Sequence, residues 1–212
     1  MTLTAKHVLV TGATSGIGQA AALELACEGA IVTLMARSAE RARASANFIE
    51  RQCGYRPDYI IADFNDLSSV RDGAARFLEG NRKLDVLLNN AGLINTRRLL
   101  SADGFEQTFA VDHLAPFLLT GLLLPRLLDS VAGRIVNVAS DAHRFCRGIQ
   151  FDDLHWERQP YKTFKVYGHA KLANILFTAE LARRLRSTKL TVNCLHPGAV
   201  ATGMGKNNKG LA

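Results

Sequence analysis

With 212 residues, 48% of them hydrophobic, and a formal net charge of +7, the chain has the balance of a globular protein, and its length predicts one domain, residues 1–212, with a sizeable core. Four scattered cysteines (Cys27, Cys53, Cys146, Cys194) without CxxC spacing and six histidines without zinc-ligand spacing argue against a disulfide framework and a metal site, and predict reduced thiols in a cytoplasmic protein. MTLTAKHVLV lacks the features of a signal peptide, and the longest apolar stretch, APFLLTGLLLPRLL, is interrupted by Pro116, Pro125 and Arg126, so no membrane span is expected.

In chain order, short apolar runs alternate with helical patterns. KHVLVT is a predicted strand and QAAALELACEG a helix ending at Gly29. AIVTLMA and ERARASANFIERQCG form the next pair, then DYIIAD and LSSVRDGAARFLEG. LDVLLNN is strand four, followed by a long helix from about Phe105 to Leu128. GRIVNVAS is strand five, a helix covers about Tyr161 to Arg186, and LTVNCLH is strand six. The strands are continuous apolar runs, so both sheet faces should be covered. Alternating β and α implies a parallel, doubly wound α/β sheet that binds its ligand at the carboxyl ends of the strands.

Strand one runs directly into TGATSGIG, Thr11 to Gly18, and then a helix. Glycines at 12, 16 and 18 permit a tight turn and close backbone approach, and the helix N-terminus offers free N–H groups and the positive end of its dipole. That suits a pyrophosphate. The basic runs Arg37, Arg41, Arg43 and Arg183, Arg184, Arg186 read as solvated helix faces that could attract phosphate. They lack interleaved aromatics, so no nucleic acid is expected as partner. Ser140, Asp141 and His143 lie close together, but no G-x-S-x-G elbow marks a hydrolase.

Later in the chain VYGHAK places Tyr167 and Lys171 four residues apart. On a helix such residues share a face, and an ammonium beside a phenol favours the phenolate. Tyr161 and Lys165 have the same spacing, so register must decide between the pairs. Six residues on a helix is a net rotation of about 240°, which points the two pairs in different directions.

TGxxxGIG, then NNAG at Asn89 to Gly92, Ser140, YxxxK, and HPGAVAT at His196 to Thr202 form a series that resembles the short-chain dehydrogenase/reductase family over almost the whole chain. RIVNVAS, FDDL and KLANILFTAELARRL are similar to its retinol-dehydrogenase-like branch. The resemblance implies a Rossmann-type sheet in the order 3-2-1-4-5-6, helices on both faces, with the seventh strand missing. It implies that Gly12, Ser15, Gly16, Ile17 and Gly18 hold the pyrophosphate. Asp63, with Phe64 beside it, faces the adenine, and Asn90, Ala91 and Gly92 lie near the adenosine ribose. Pro197, Gly198, Val200 and Thr202 hold the nicotinamide end, with Tyr167 and Lys171 also reaching the cofactor. Ser140 polarises a carbonyl, Tyr167 passes the proton, and Lys171 lowers the Tyr167 pKa. LANILFTAELARRL directly follows the second tyrosine–lysine pair and not the first, so Tyr161 is expected to be a bystander.

Cofactor choice is read after strand two, where Ala36 is followed by Arg37. An arginine can bind a 2′-phosphate bidentately where an acid would repel it, so NADP(H) is expected over NAD(H). The substrate expected is a small-molecule carbonyl or alcohol, lipophilic if Phe145, Phe151, Trp156 and Phe164 line its wall. Family habit suggests a homo-oligomer. Two departures stand out. Asp112 in FAVDHLAPF occupies the place of the family's catalytic asparagine, where a carboxylate could pull on Lys171. The chain also reads as C-terminally truncated relative to the family. Both motivate an alternative, a catalytically impaired dinucleotide-binding protein acting as sensor or partner.

Overall fold

The structure is a computed structural model that describes residues 3–79, 83–198 and 200. Among them six strands form one parallel sheet in the order β3-β2-β1-β4-β5-β6. The strands are β1 (His7–Thr11), β2 (Ile31–Ala36), β3 (Asp58–Ile61), β4 (Val86–Asn89), β5 (Arg134–Val138) and β6 (Thr191–Leu195). The order turns back between β1 and β4, so the loops after these two strands open the crevice of a doubly wound sheet.

Alternation along the strands divides the core. Val8, Val10, Val32 and Leu34 pack against α1 (Gly16–Cys27) and α2 (Ala39–Cys53). Leu9, Met35, Leu87 and Ile135 face α3 (Leu67–Glu79) and α5 (Ala115–Leu128) on the other side. Helix α1 buries Gly18, Ala22 and Ala26, a small-residue stripe four apart that lets it lie close to the sheet. At the amino edge Asp85 ties three elements together. Its carboxylate accepts from the His7 N–H at 3.0 Å, the Ser130 hydroxyl at 2.6 Å and the Lys6 ammonium at 3.2 Å.

The long helix expected over Phe105–Leu128 runs from Gln107 to Leu128 and is not uniform. A short α4 (Gln107–Phe109) leads into a π-helical turn, Ala110–Leu114, and then into α5. Neither proline breaks it, in keeping with the expected long helix. Pro116 sits near the start of α5 and Pro125 is carried inside it. The whole stretch has the length and hydropathy of a membrane-crossing helix. Its Leu119, Leu123 and Leu127 are fully buried against the sheet, so here that apolarity fills a core.

Helix α6 (Thr163–Arg184) starts two residues after Tyr161 rather than at it. It seats on a 3-10 turn, Asp141–Phe145, that follows β5. A Cβ on Gly168 would collide with the Ala142 carbonyl oxygen of that turn. Gly168→Ala should therefore cost ~1–3 kcal/mol of stability, as overpacking does. Urea unfolding checks this, and a variant as stable as the parent would mean that α6 and the turn are not in fixed contact.

Candidate active site

The carboxyl edge of the sheet is built around a close approach. The loop after β1 and the loop after β4 touch so tightly that side chains are excluded. A Cβ on Gly12 would stand 2.8 Å from the Ala91 Cα, and one on Gly18 would lie 2.5 Å from the Gly12 oxygen and collide with the Asn90 amide. Gly12 also has φ +66°, which L side chains rarely adopt. The fully buried Thr11 is the knot. Its Oγ1 accepts from the N–H groups of Asn90 and Ala91, both at 3.0 Å, and donates to the Leu88 carbonyl at 3.3 Å. Asn90 Nδ2 donates to the Thr11 carbonyl at 2.9 Å.

Helix α1 opens from this loop with its first turn uncapped. Ser15 is the N-cap, but its side chain makes no capping bond, and the first turn holds no acidic residue. Open N–H groups, a positive dipole end and a glycine cradle that a Cβ would fill together fit a pyrophosphate.

Asp63, Phe64 and Arg37, expected at the adenosine end, do not line the cavity that holds Ser140, Tyr167 and Lys171. Asp63 lies two residues past β3, not at its end. Its Oδ1 accepts from the Asn65 N–H at 2.9 Å and its own N–H donates to Ser69 Oγ at 2.9 Å. Phe64 is buried in the core, a packing residue. Arg37 follows the last residue of β2, is exposed, and has no ion-pair partner among the described residues.

The other sequence-selected residues converge. One cavity is lined by Ile17, Asn90, Val138, Ser140, Tyr167, Lys171, Pro197, Gly198 and Val200, with Ala139 and His196 completing it. The end of the pyrophosphate loop, the serine after β5 and the tyrosine–lysine pair of α6 thus share one space. Ala91 and Gly92 shape the loop behind it; Thr202 lies outside the described residues. Ser140 has extended backbone and caps the 3-10 turn by accepting the Ala142 N–H at 3.2 Å. The Lys171 ammonium lies 5.3 Å from the centre of the Tyr167 ring and donates to the Val138 carbonyl at 3.2 Å.

Asp112 reaches this group from the π-helical turn. Its Oδ2 lies 3.0 Å from Lys171 Nζ, and both side chains are buried. Its Oδ1 accepts the Leu93 N–H at 2.8 Å. Gly92 leaves room for it, since a Cβ there would press on the carboxylate at 3.1 Å. Lys171 does pull the Tyr167 pKa down, as expected, but it does not decide the net direction. Burial pushes the Tyr167 hydroxyl up, Lys171 pulls it down, Asp112 pushes it up again, and the net direction is up. Burial alone would lower the Lys171 ammonium, but the Asp112 carboxylate outweighs it and holds the lysine charged, while burial pushes the Asp112 carboxyl up against the opposing pull of Lys171 and the Leu93 N–H.

Asn174, Thr178 and Asn137 lie outside the sequence reading. Asn174, three residues after Lys171, donates through Nδ2 to the Asp112 carbonyl at 2.8 Å, and its Oδ1 accepts from His113 Nδ1 at 2.9 Å. The extra residue of a π turn leaves a carbonyl without its helical partner, and Asn174 satisfies it. A buried ladder continues from there. The Thr178 hydroxyl donates to the Asn174 carbonyl and accepts from Asn137, whose Oδ1 accepts from Asn89. Asparagine and threonine in apolar runs are the available signal.

Tyr161 is a structural residue. Its hydroxyl donates to Glu106 Oε1 at 3.0 Å, and burial holds it far above the usual tyrosine range. Lys165 instead places its ammonium 5.4 Å from the centre of the Trp156 ring. Trp156 is buried and so leaves the expected substrate wall, whereas Phe145, Phe151 and Phe164 remain exposed.

The segment between serine and tyrosine is tied to α6 by His169. This fully buried ring accepts the Gln150 N–H through Nε2 at 3.0 Å. Burial, then the neighbouring His113, His155 and Lys165, lowers its pKa from 6.5 to about 4. An unfolded histidine binds a proton first, so stability should fall as pH drops from 6.5 through about 4. His169→Gln, which keeps an acceptor for Gln150, should flatten that acid limb in urea titrations at stepped pH. An unchanged pH slope would show that His169 does not set the acid limb.

With this geometry in place, comparison with known proteins gives a consistent result. A family model described as short chain dehydrogenase matches residues 6–150 and 155–210. Retinol dehydrogenase 13 of Homo sapiens is 42% identical over 207 residues, covering 97% of this chain and 62% of its own length. Retinol dehydrogenase 14 of Homo sapiens is 44% identical over 216 residues, covering 95% and 64%. The chain therefore spans less than two thirds of these relatives. A solved structure of an Escherichia coli protein complexed with NADPH superposes with a TM-score of 0.75 at 30% identity, covering 92% of this chain and 78% of that one.

Proposed function

From the premise that the chain belongs to the short-chain dehydrogenase/reductase family, we propose that it is an NADP(H)-dependent oxidoreductase interconverting a lipophilic carbonyl and its alcohol. The observation that carries this reading is the convergence of Ile17, Asn90, Ser140, Tyr167 and Lys171 on one cavity.

A bound nicotinamide dinucleotide would exchange hydride with the substrate carbon. The chain's own residues handle the oxygen. Ser140 Oγ donates a hydrogen bond to it and Tyr167 donates the proton as it gains charge, or takes one back in the reverse direction. Lys171, held by the Val138 carbonyl and Asp112, orients beneath the phenol. The open first turn of α1 receives the pyrophosphate, and Arg37 offers a free guanidinium for a 2′-phosphate. The NADPH complex of the Escherichia coli neighbour agrees with that choice. Phe164 on the helix that carries Tyr167 and Phe145 on the 3-10 turn after β5, both exposed with ring centres 6.0 Å apart, supply apolar surface, and the retinol dehydrogenase relatives point the same way. A cytoplasmic location belongs to the proposal and is supported by free thiols at all four cysteines.

One observation favours a second reading, a dinucleotide-binding protein with little turnover. The carboxylate of Asp112 is bound to the lysine of the centre. Binding and turnover separate the two. Nicotinamide fluorescence should report tighter binding of NADPH than of NADH, and Arg37→Asp should reverse the order; equal ratios in both proteins would refute the role of Arg37. On a panel of aldehydes and ketones, Tyr167→Phe should lower turnover by about 10²–10⁴-fold, and Tyr161→Phe should retain it. Tight binding without turnover on the panel would select the second reading.

A further inference from the structure

The buried carboxylate of Asp112 is the feature for which the family pattern offers no role, and its geometry assigns one. We propose that Asp112 is a positioning residue that pairs with Lys171 to keep the Tyr167 phenol protonated, and so directs the centre toward proton donation, the direction of carbonyl reduction. The proposal rests on the reading of Tyr167 as the proton-transferring group and adds to it a direction.

The cause is electrostatic. A lone ammonium beside a phenol stabilises the phenolate. Here the ammonium is not alone. Asp112 Oδ2 stands 3.0 Å from Nζ, with the lysine 3% and the aspartate 0% exposed in their side chains. At the Tyr167 ring, 5.3 Å from Nζ, the negative charge of Asp112 works against the pull of the lysine. What remains is burial of the hydroxyl, which favours the neutral phenol. The other groups facing the pair do not restore the positive field. Ser140 and the Val138 carbonyl carry no charge, the hydrogen bond from Ser140 favours the phenolate less than Asp112 opposes it, and Glu106 adds negative charge toward Asp112. His113, on the π turn, is held uncharged by burial.

The carboxylate is also fixed. Oδ1 accepts the Leu93 N–H, and the Asp112 carbonyl accepts from Asn174, so side chain and backbone are held on opposite sides. Gly92 supplies the space. An asparagine in the same place could still accept from Leu93 but would leave the lysine charge unopposed. Tyr167 would then lose its proton at lower pH, and alcohol oxidation, which needs the phenolate as acceptor, would start at lower pH.

Phenolate absorbance during an alkaline titration tests this without cofactor or substrate, with the Tyr167→Phe protein subtracted to isolate Tyr167 and circular dichroism marking the folded range. In the wild-type chain Tyr167 should not titrate below the ordinary tyrosine value of about 10. In Asp112→Asn its midpoint should fall by about 1–3 pH units. A wild-type Tyr167 midpoint clearly below that of an ordinary tyrosine overturns the proposal, as does a folded Asp112→Asn protein with no earlier transition. Should Asp112→Asn not fold, Asp112→Ser is read by the same criterion, and the wild-type arm decides by itself. Kinetics supply the second readout. The alkaline rise of alcohol oxidation should move to lower pH in Asp112→Asn, so that at a fixed pH on that rise the variant is faster by about tenfold for each pH unit by which the midpoint falls. A phenol that titrates earlier in a chain showing no turnover would sink the enzyme reading and leave the electrostatic one standing. Turnover without the earlier titration would do the reverse.

Discussion

Everything on the carboxyl edge depends on how closely the loops after β1 and β4 pass each other. Neighbouring parallel strands are held about 4.8 Å apart by their hydrogen bonds, and the order of this sheet makes β1 and β4 the neighbours at which the chain reverses direction. Their loops must leave the sheet through the same narrow space. Glycine at 12 and 18 removes the side chains that would collide. Thr11 then supplies a hydroxyl that bonds three backbone groups at the end of β4 and in the loop after it. Buried backbone polar groups must be paired, so that hydroxyl is as much a constraint as the glycines. With the loops locked, the first turn of α1 has one direction in which to point, across the crevice toward the ends of β4 and β5.

The second constraint is a pair of charges taken out of water. Burying Asp112 and Lys171 costs free energy that their attraction only partly returns, and removing one partner of such a pair typically costs about 3–5 kcal/mol. The fold meets that cost with fixed geometry rather than with solvent. The π turn swings the Asp112 side chain inward, the Leu93 N–H takes one oxygen, and α6 delivers Lys171 to the other. Asn174, on the same helix as Lys171, repairs the carbonyl that the π turn leaves free. The irregular turn and the ion pair are therefore one device, and a regular helix from Gln107 to Leu128 would place Asp112 elsewhere.

Elements, strand order and the converging residues are legible in the sequence because each is encoded locally. Apolar runs mark strands, glycine spacing marks the turn, and a tyrosine four residues before a lysine marks a shared helical face. What stays hidden depends on partners far away in the chain. Asn174 meets the Asp112 carbonyl 62 residues earlier, and nothing near Asn174 announces it. Trp156 resembles substrate-facing surface in the sequence, yet it packs edge-on against His169 at 5.9 Å. Tyr161 shares the Tyr–Lys spacing, but the helix begins after it and its hydroxyl belongs to Glu106. The pKa of Tyr167 is hidden for the same reason, since the lysine is visible in the motif and its counter-charge is not.

The segment that separates Ser140 from Tyr167 connects these constraints to the substrate. It contains little regular structure, only two 3-10 turns, yet it is internally held. Asp153 accepts the N–H groups of Glu157, Arg158 and Gln159, closing the segment on itself. His169 fastens Gln150 to α6 only two residues from Tyr167. One helix thus fixes both the proton-handling phenol and the loop that bears the exposed Phe145 and Phe151. Sequence changes in the segment can vary its exposed phenylalanines, and so the apolar surface offered to substrate, while Asp153 and His169 hold its backbone. Changes in α6 cannot be confined in the same way, because Gly168, His169, Lys171 and Asn174 each serve a different contact within two turns. The exposed apolar surface is therefore free to vary in the loop, while the residues that line the cavity are tied to the helix.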